Sequence, residues 1–513
     1  MIRFAGKHGA LWSLDSPRAH FPRLGRDIRV DVAVIGGGIT GLTAAWLLKK
    51  AGKSVALLEL GEVGGGATGR SSGHLTAMTD RSLVQIAADF GEEQARQVVQ
   101  SGVQAIDLIE SICREGVDAQ FERVPGYRFS ETEQNLDALR KEAELAARLG
   151  LAASFTDQTP LPFPVRGALR VEAQAQFHPL LYLEGLVELF AGDEGHLFEH
   201  SKVEQIEEGS PCRVFVGSHV VRATTVIEAS HTPLNRSLGI QSRVGPYMTY
   251  VVGLKLQGPV PSALFWDTAE PYHYLRRGRV ESGDLLLVGG ADHKSGQEHD
   301  PVHRLEQLLE YAKRRFAVES TEWSWSQQVF ESADGLPFVG KKPGHDHILV
   351  AGGFSGNGLT FGTMAGSMLA QMAEGRDVPS AHLYSPSRIK PLAAAKEFLR
   401  ENLNVAWHMV ADRLKSHAEE GHAPLKPCQG RIMNLDGRSV AVYLDETSRL
   451  HVLSPTCSHA GGIVAWNDLE KTWDCPCHGG RYSPLGKVLS SPPTQDLEVI
   501  PEVLRPSRTM VGP

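Results

Sequence analysis

The stretch DVAVIGGGITGLTAAWLLKKAG, residues 31–52, decides how the chain is read. Asp31 to Ile35 is a short β-branched run with the pattern of a buried parallel strand. Gly36, Gly38 and Gly41 follow in GxGxxG spacing, and Leu42, Ala45, Trp46 and Leu48 then recur on a helical face with Gly52 as a stop. A second strand, Ser54 to Leu58, ends in Glu59, about 20 residues past the glycine turn, where an acid accepts hydrogen bonds from ribose hydroxyls. Strand, turn, helix, strand and acid in register predict a dinucleotide site. Glycines let the backbone approach a pyrophosphate, and a helix opening at Gly38, Ile39 and Thr40 offers N–H groups and the positive end of its dipole. The alternative is a merely tight strand–helix turn.

Working outward, GEVGGGATGRSSGHLTA at 61–77 is a second stretch rich in glycine and hydroxyls. It resembles the loop that FAD-dependent amine and amino-acid oxidases, the D-amino-acid oxidase and glycine oxidase superfamily, wrap along the flavin. The resemblance implies that Ala67, Thr68, Ser72, Gly73 and His74 line FAD. DGLPFVG at 334–340 and AGGFSGNGLTFGTMAG at 351–366 are similar to that superfamily's C-terminal flavin segment, which brings in Gly356, Asn357, Gly358, Leu359 and Thr360. There a helix N-terminus can stabilise negative charge on a reduced ring. SKVEQIEEG resembles the strand that meets adenine through the backbone, here at Val203.

For the substrate side the resemblance implies hydride transfer to the flavin from a carbon bearing nitrogen, with the protein supplying orientation. Arg276 is the candidate clamp for a substrate carboxylate, since guanidinium grips carboxylate through two points. Tyr250 and His74 are the other catalytic candidates, and Tyr272, Tyr274 and His178 are further wall residues, although polar aromatics also serve as satisfied core. Where some relatives attach FAD to a histidine, this chain has Arg70, which implies non-covalent FAD.

The C-terminal sequence changes character. After a helical stretch and a proline-marked break come short strands such as SVAVYLD and RLHVLS. Among them CSHAGG at 457–462 and CPCHGGRY at 475–482 set out Cys457-x-His459, fifteen intervening residues, and Cys475-x-x-His478. Two Cys and two His also suit zinc, but the spacing and the flanking glycines resemble the Rieske loops, in which two thiolates hold one iron of a 2Fe-2S cluster and two imidazoles the other. Bridged Rieske proteins carry an extra cysteine in each loop; here the position facing Cys477 is Gly462, and Gly480 replaces a serine that bonds a cluster sulfur, while Tyr482 is kept.

Composition narrows the rest. The 513 residues exceed one ordinary domain, and a net charge of -8 gives no basic footprint for nucleic acid. Apolar runs fall short of the roughly 20 residues that span a bilayer. Six cysteines, three of them crowded into the last sixty residues, are too few for a disulfide framework, and a cytoplasmic protein is expected. The fold expected is α/β plus α+β. A Rossmann-like FAD-binding domain (29–80, 171–240, 331–385) interleaves with an antiparallel-sheet substrate domain (81–170, 241–330); a connecting helix follows at 386–425, then an all-β Rieske domain at 426–513. The activity expected is oxidation of an amine or N-substituted amino acid, with electrons relayed from FAD to the cluster and on to an external acceptor such as a ferredoxin-like protein or quinone. The competing readings are an oxygen-using oxidase whose Rieske domain docks or senses, and a flavin/iron–sulfur electron carrier.

Overall fold

The computed structural model describes residues 7–13, 19–234, 238–281, 283–298, 300–388, 404, 405, 408, 424–435 and 437–501. The β-branched run lies in the strand Ile28–Ile35, flanked in parallel by Val55–Leu58 on one side and His219–Glu228 on the other. Gly195–Phe198 and Ile348–Gly352 extend this parallel core, and Phe338–Lys341 closes one edge antiparallel. The strands read as continuous apolar runs because both faces are covered; Val32, Ala33, Val34 and Ile35 are all buried.

The helix Ile39–Lys50 follows the glycine turn. It is buried on nearly every side because the helix Gly358–Ala373 crosses it closely: a Cβ on Gly362 would stand 2.8 Å from Thr40 Oγ1, and one on Gly366 2.6 Å from the Thr40 carbonyl. A single crossing thus packs the first flavin-type segment against the last, 300 residues apart in sequence.

The second sheet is mainly antiparallel and runs, in part, through Val318–Ser332, Val244–Leu256, Gly283–Lys294, His273–Val280, Leu264–Asp267, Glu122–Ser130 and Gly167–Gln176. Its polar and apolar alternation is set by one packed and one cavity-facing side. Two expected boundaries move. Gly167–Gln176 pairs wholly within this sheet rather than joining the nucleotide-binding half at 171, and His74–Leu75 joins it too, by pairing with Gln176 and Ala175.

Among the described residues the C-terminal part holds two small antiparallel sheets, Gln429–Leu435 with Arg438–Leu444 and Leu450–Leu453, and Ala465–Asn467 with Thr472–Asp474, Arg481–Tyr482 and Val488–Ser490. Trp473 and Tyr482 form its buried centre. The connecting helix expected over 386–425 lies almost wholly outside the described residues, and none of the described helices is long and apolar enough to cross a membrane.

Candidate functional site

A cavity of about 860 Å³ opens along the carboxyl ends of the parallel strands, the position where open α/β sheets bind nucleotides. Of the residues singled out in the sequence, Gly36, Gly38, Ile39, Thr40, Glu59, Ala67, Thr68, Ser72, His74, Val203, Gly356, Asn357, Gly358 and Leu359 line it. The helix at Ile39 has no side-chain cap at Gly38, and Gly38, Ile39 and Thr40 line the cavity where a pyrophosphate would be held; the Ile39 N–H is given to Thr68 Oγ1 at 3.1 Å. Glu59 accepts from Gly37 N at 2.6 Å and Gly61 N at 2.9 Å, and burial raises its carboxyl above the ordinary value.

Gly41, Gly73 and Thr360 stand behind the lining instead. A Cβ on Gly41 would lie 2.0 Å from the Gly36 carbonyl, so its role is to let helix and strand close. Gly73, at φ +77, has its carbonyl bonded to Arg276, and Thr360 Oγ1 accepts from the Thr76 N–H at 3.1 Å. The glycine cradle, the helix N-terminus and the volume fit FAD.

The substrate candidates divide. His74 lines the cavity; Ser72 Oγ lies 2.8 Å from its Nδ1, and burial together with Arg276 pushes it down to about 3, so it is neutral at ordinary pH. Tyr272 and Tyr274 line the cavity as well. Arg276 does not: it is buried behind the flavin loop, donating to the carbonyls of Gly73 at 2.6 Å and Phe177 at 3.0 Å through Nη1 and to its neighbour Arg277 through Nε. It is a brace, not a clamp. Tyr250 turns to the other face of its strand, where its hydroxyl meets His293 Nε2 at 2.8 Å, and His178 caps the helix Pro179–Phe190 by accepting from Leu181 N at 3.1 Å. Strand parity separated Tyr250 from the cavity, and the sequence could not tell which parity faced inward.

Residues not singled out in the sequence complete that end of the cavity: Trp266, Thr249, Asp80 and Asp292. Burial raises Asp292 to about 6, with hydrogen bonds from Thr249 and Tyr272 pulling the other way. Trp266 and Tyr274 each lie 5.5 Å from the His74 ring.

The C-terminal loops bring Cys457, Cys475, His459 and His478 to one buried place. The two thiols are within hydrogen-bonding reach, the imidazoles pack edge to face with ring centres 5.0 Å apart, and His478 Nδ1 is buried with no hydrogen-bond partner. Two soft thiolates and two imidazole nitrogens so placed fit a Rieske cluster. Tyr482 Oη stands 3.1 Å from Cys457 Sγ, and a Cβ on Gly462 would be 2.6 Å from Cys477 Sγ.

This part closes over the cavity. Glu470, Lys471, Thr472, Arg481 and residues 488–491 line it, and Glu470 joins Arg70 at 2.6 Å, Ser326 Oγ at 2.7 Å and His8 at 3.2 Å. Beside the cluster loop, Gln328 Nε2 donates to the Gly479 carbonyl at 3.0 Å, while Pro246 and Phe330 fill the space where a Gly479 side chain would be.

Comparison with known proteins agrees with both halves. Residues 31–372 match the family described as FAD dependent oxidoreductase, and residues 422–501 match the Rieske 2Fe-2S domain. The chain is 31% identical over 493 residues to YhfW of Bacillus subtilis, a protein named for a Rieske 2Fe-2S centre, covering 95% of this chain and 97% of that one. It is 27% identical over 372 residues to the gamma-glutamylputrescine oxidoreductase of Escherichia coli, covering 70% and 86%. In fold it is similar to the glycine oxidase of Geobacillus kaustophilus, with a TM-score of 0.61 at 23% identity over 71% of this chain and 99% of that one.

Proposed function

The chain belongs to the FAD dependent oxidoreductase family and ends in a Rieske 2Fe-2S domain, and from that premise we propose that it oxidises an amine or N-substituted amino acid and relays the electrons through its own cluster to an external acceptor. The bound groups supply the redox chemistry: FAD takes two electrons with a hydride, and the 2Fe-2S cluster passes electrons singly. Cys457 and Cys475 would hold one iron through their thiolates and His459 and His478 the other through their imidazoles.

The observation that carries this reading is the seat of the cluster loop. Gly479, next to His478, packs on Gln328 and Phe330, and both of these line the FAD cavity. Gln328 and Phe330 thus stand between the loop of His478 and the cavity, and Glu470 holds the closure from the C-terminal side. A docking or sensing module has no need of that contact. On the substrate side His74 stays neutral, its Nδ1 held by Ser72 Oγ at 2.8 Å and its Nε2 by the Leu275 carbonyl at 3.3 Å, so it shapes the cavity wall without adding a charge. The six cysteines are unpaired, in keeping with a reducing cytoplasm, and a ferredoxin-like protein or quinone suits the role of acceptor.

Anaerobic stopped-flow absorbance of the purified holoenzyme against amines, amino acids and their N-methyl derivatives tests the reading. Loss of the flavin band followed by loss of the iron–sulfur band is expected. A cluster that stays oxidised while the flavin is reduced overturns the relay and leaves an oxygen-using oxidase with a docking or sensing Rieske domain.

A further inference from the structure

The substrate end of the cavity has an unusual balance of charge. Opposite Thr249, between the pairs Met248–His293 and Tyr250–Gly290, the strand Gly283–Lys294 sets two residues against one. Ala291 there has φ 55 and Gly290 φ 132. This is a β-bulge, a device that re-aims a side chain beside a site, and a non-glycine residue held at positive φ is a cost borne for a reason. It delivers Asp292 into the cavity. The carboxylate accepts hydrogen bonds from Thr249 and Tyr272, yet Oδ1 remains buried without a hydrogen-bond partner.

No lysine or arginine lining the cavity answers it, and the nearby His273, which favours the charged form of Asp292, is itself tied to Asp267 at 2.8 Å. Each lysine or arginine lining the cavity among the described residues is engaged by an acid: Arg70 by Glu470 at 2.6 Å, Lys202 by Asp496 at 3.0 Å, Lys471 by Asp468 at 2.9 Å and Arg481 by Asp474 at 3.0 Å. Arg276 is consumed by backbone carbonyls. Asp80 lies close enough to raise Asp292 further. Around them stand three aromatic rings, Trp266, Tyr272 and Tyr274, the last given room by Gly289, where a Cβ would fall 2.0 Å from the tyrosine ring. A buried carboxylate pushed up by burial and by a second acid is stabilised by an incoming cation, and an incoming carboxylate would add a further like charge. Aromatic rings add their own attraction for an ammonium group.

Resting on the amine-oxidising reading of this site, we propose that the cavity selects a cationic amine with no free carboxylate beside the reacting carbon, Asp292 seating its nitrogen among Trp266, Tyr272 and Tyr274. Asp292 is thus the specificity-determining residue.

The test titrates oxidised, anaerobic holoenzyme with two unreactive probes, benzyltrimethylammonium and benzoate, and reads Kd from the flavin spectrum. The cation is expected to bind at least about tenfold more tightly than benzoate, and Asp292→Asn to weaken the cation about tenfold while sparing benzoate. Tighter binding of benzoate than of the cation by the wild-type protein overturns the proposal and needs no variant to fold. So does an Asp292→Asn protein of full flavin content that holds the cation within twofold of wild type. If the cation binds as expected but no amine or amino acid reduces the flavin, the oxidative reading falls and the pocket assignment stands.

Discussion

Gln328 donates through Nε2 to the carbonyl of Gly479 at 3.0 Å, and the same nitrogen donates to Ser295 Oγ at 3.0 Å. One buried amide therefore ties the cavity wall to the loop that carries His478. Gln328→Leu keeps the volume and leaves the Gly479 carbonyl unpaired, at a cost of about 1–3 kcal/mol. The expected outcome is an unchanged rate of flavin reduction by substrate and a cluster reduction slowed by about tenfold. Single-turnover stopped-flow separates the two phases, and a cluster phase within twofold of wild type would show that the amide does not set the loop.

The surroundings of the sulfurs point to a modest reduction potential. Cys477 faces Gly462, so no bridge joins the loops, and a Cβ on Gly480 would run into Pro493 at 2.9 Å, so no hydroxyl side chain fits there without movement. Tyr482, 3.1 Å from Cys457 Sγ, is the remaining side-chain donor of that pair. Hydrogen bonds to sulfur raise the potential. A redox titration is expected to give a midpoint well below about +300 mV, the top of the Rieske range. Tyr482→Phe should lower it by about 40 mV, which corresponds to about 1 kcal/mol in a one-electron couple. A midpoint near that upper limit would refute the argument.

What the sequence disclosed and what it hid follow one physical rule. Backbone-determined features were legible: the GxGxxG turn, the acid at Glu59, the glycine-led helix at Gly358 and the Cys/His spacing all report local geometry that few other residues satisfy. The substrate wall was not, because it is made by side-chain direction across a long antiparallel sheet. Tyr250 and Arg276 have the right chemistry but face away. Asp292 faces inward only because of a bulge at Ala291, which no residue pattern in ADHK announces. Glu470 was equally silent, since its partners His8, Arg70 and Ser326 lie far off in sequence.

Glu470 is where the closure should be broken. Burial pushes its carboxyl up, but the hydrogen bond from His8 and the guanidinium groups of Arg70 and Arg481 outweigh this and hold it well below the ordinary carboxylate range. A group with a depressed folded value contributes stability that is full above its unfolded value of about 4.3 and is lost as pH falls through the folded value. Glu470→Ala is expected to cost up to about 3 kcal/mol, less than a fully buried pair because Arg70 stays partly in water. FAD should then leave more readily, as a non-covalent ligand can, and acid precipitation of the wild-type protein should free the yellow colour into the supernatant. Colour retained in the pellet would point to a covalent link.

Asp292 gives the cavity a pH dependence whose sign can be worked out. Burial lifts it to about 6, Asp80 raises it, and Thr249, Tyr272 and His273 oppose the rise. Below that value the carboxyl is neutral and offers a cation little; above it the carboxylate is formed. Benzyltrimethylammonium carries a fixed charge, so any change in its affinity belongs to the protein. Its Kd is expected to fall as pH rises from 5 to 7, with an inflection near 6, and then to level off. His74, held down near 3, does not titrate in that window and cannot imitate the effect. In Asp292→Asn the inflection near 6 should be lost. A flat wild-type profile would mean that the cavity reads the cation through its rings alone, and Asp292 would lose its place as the charge that decides the substrate.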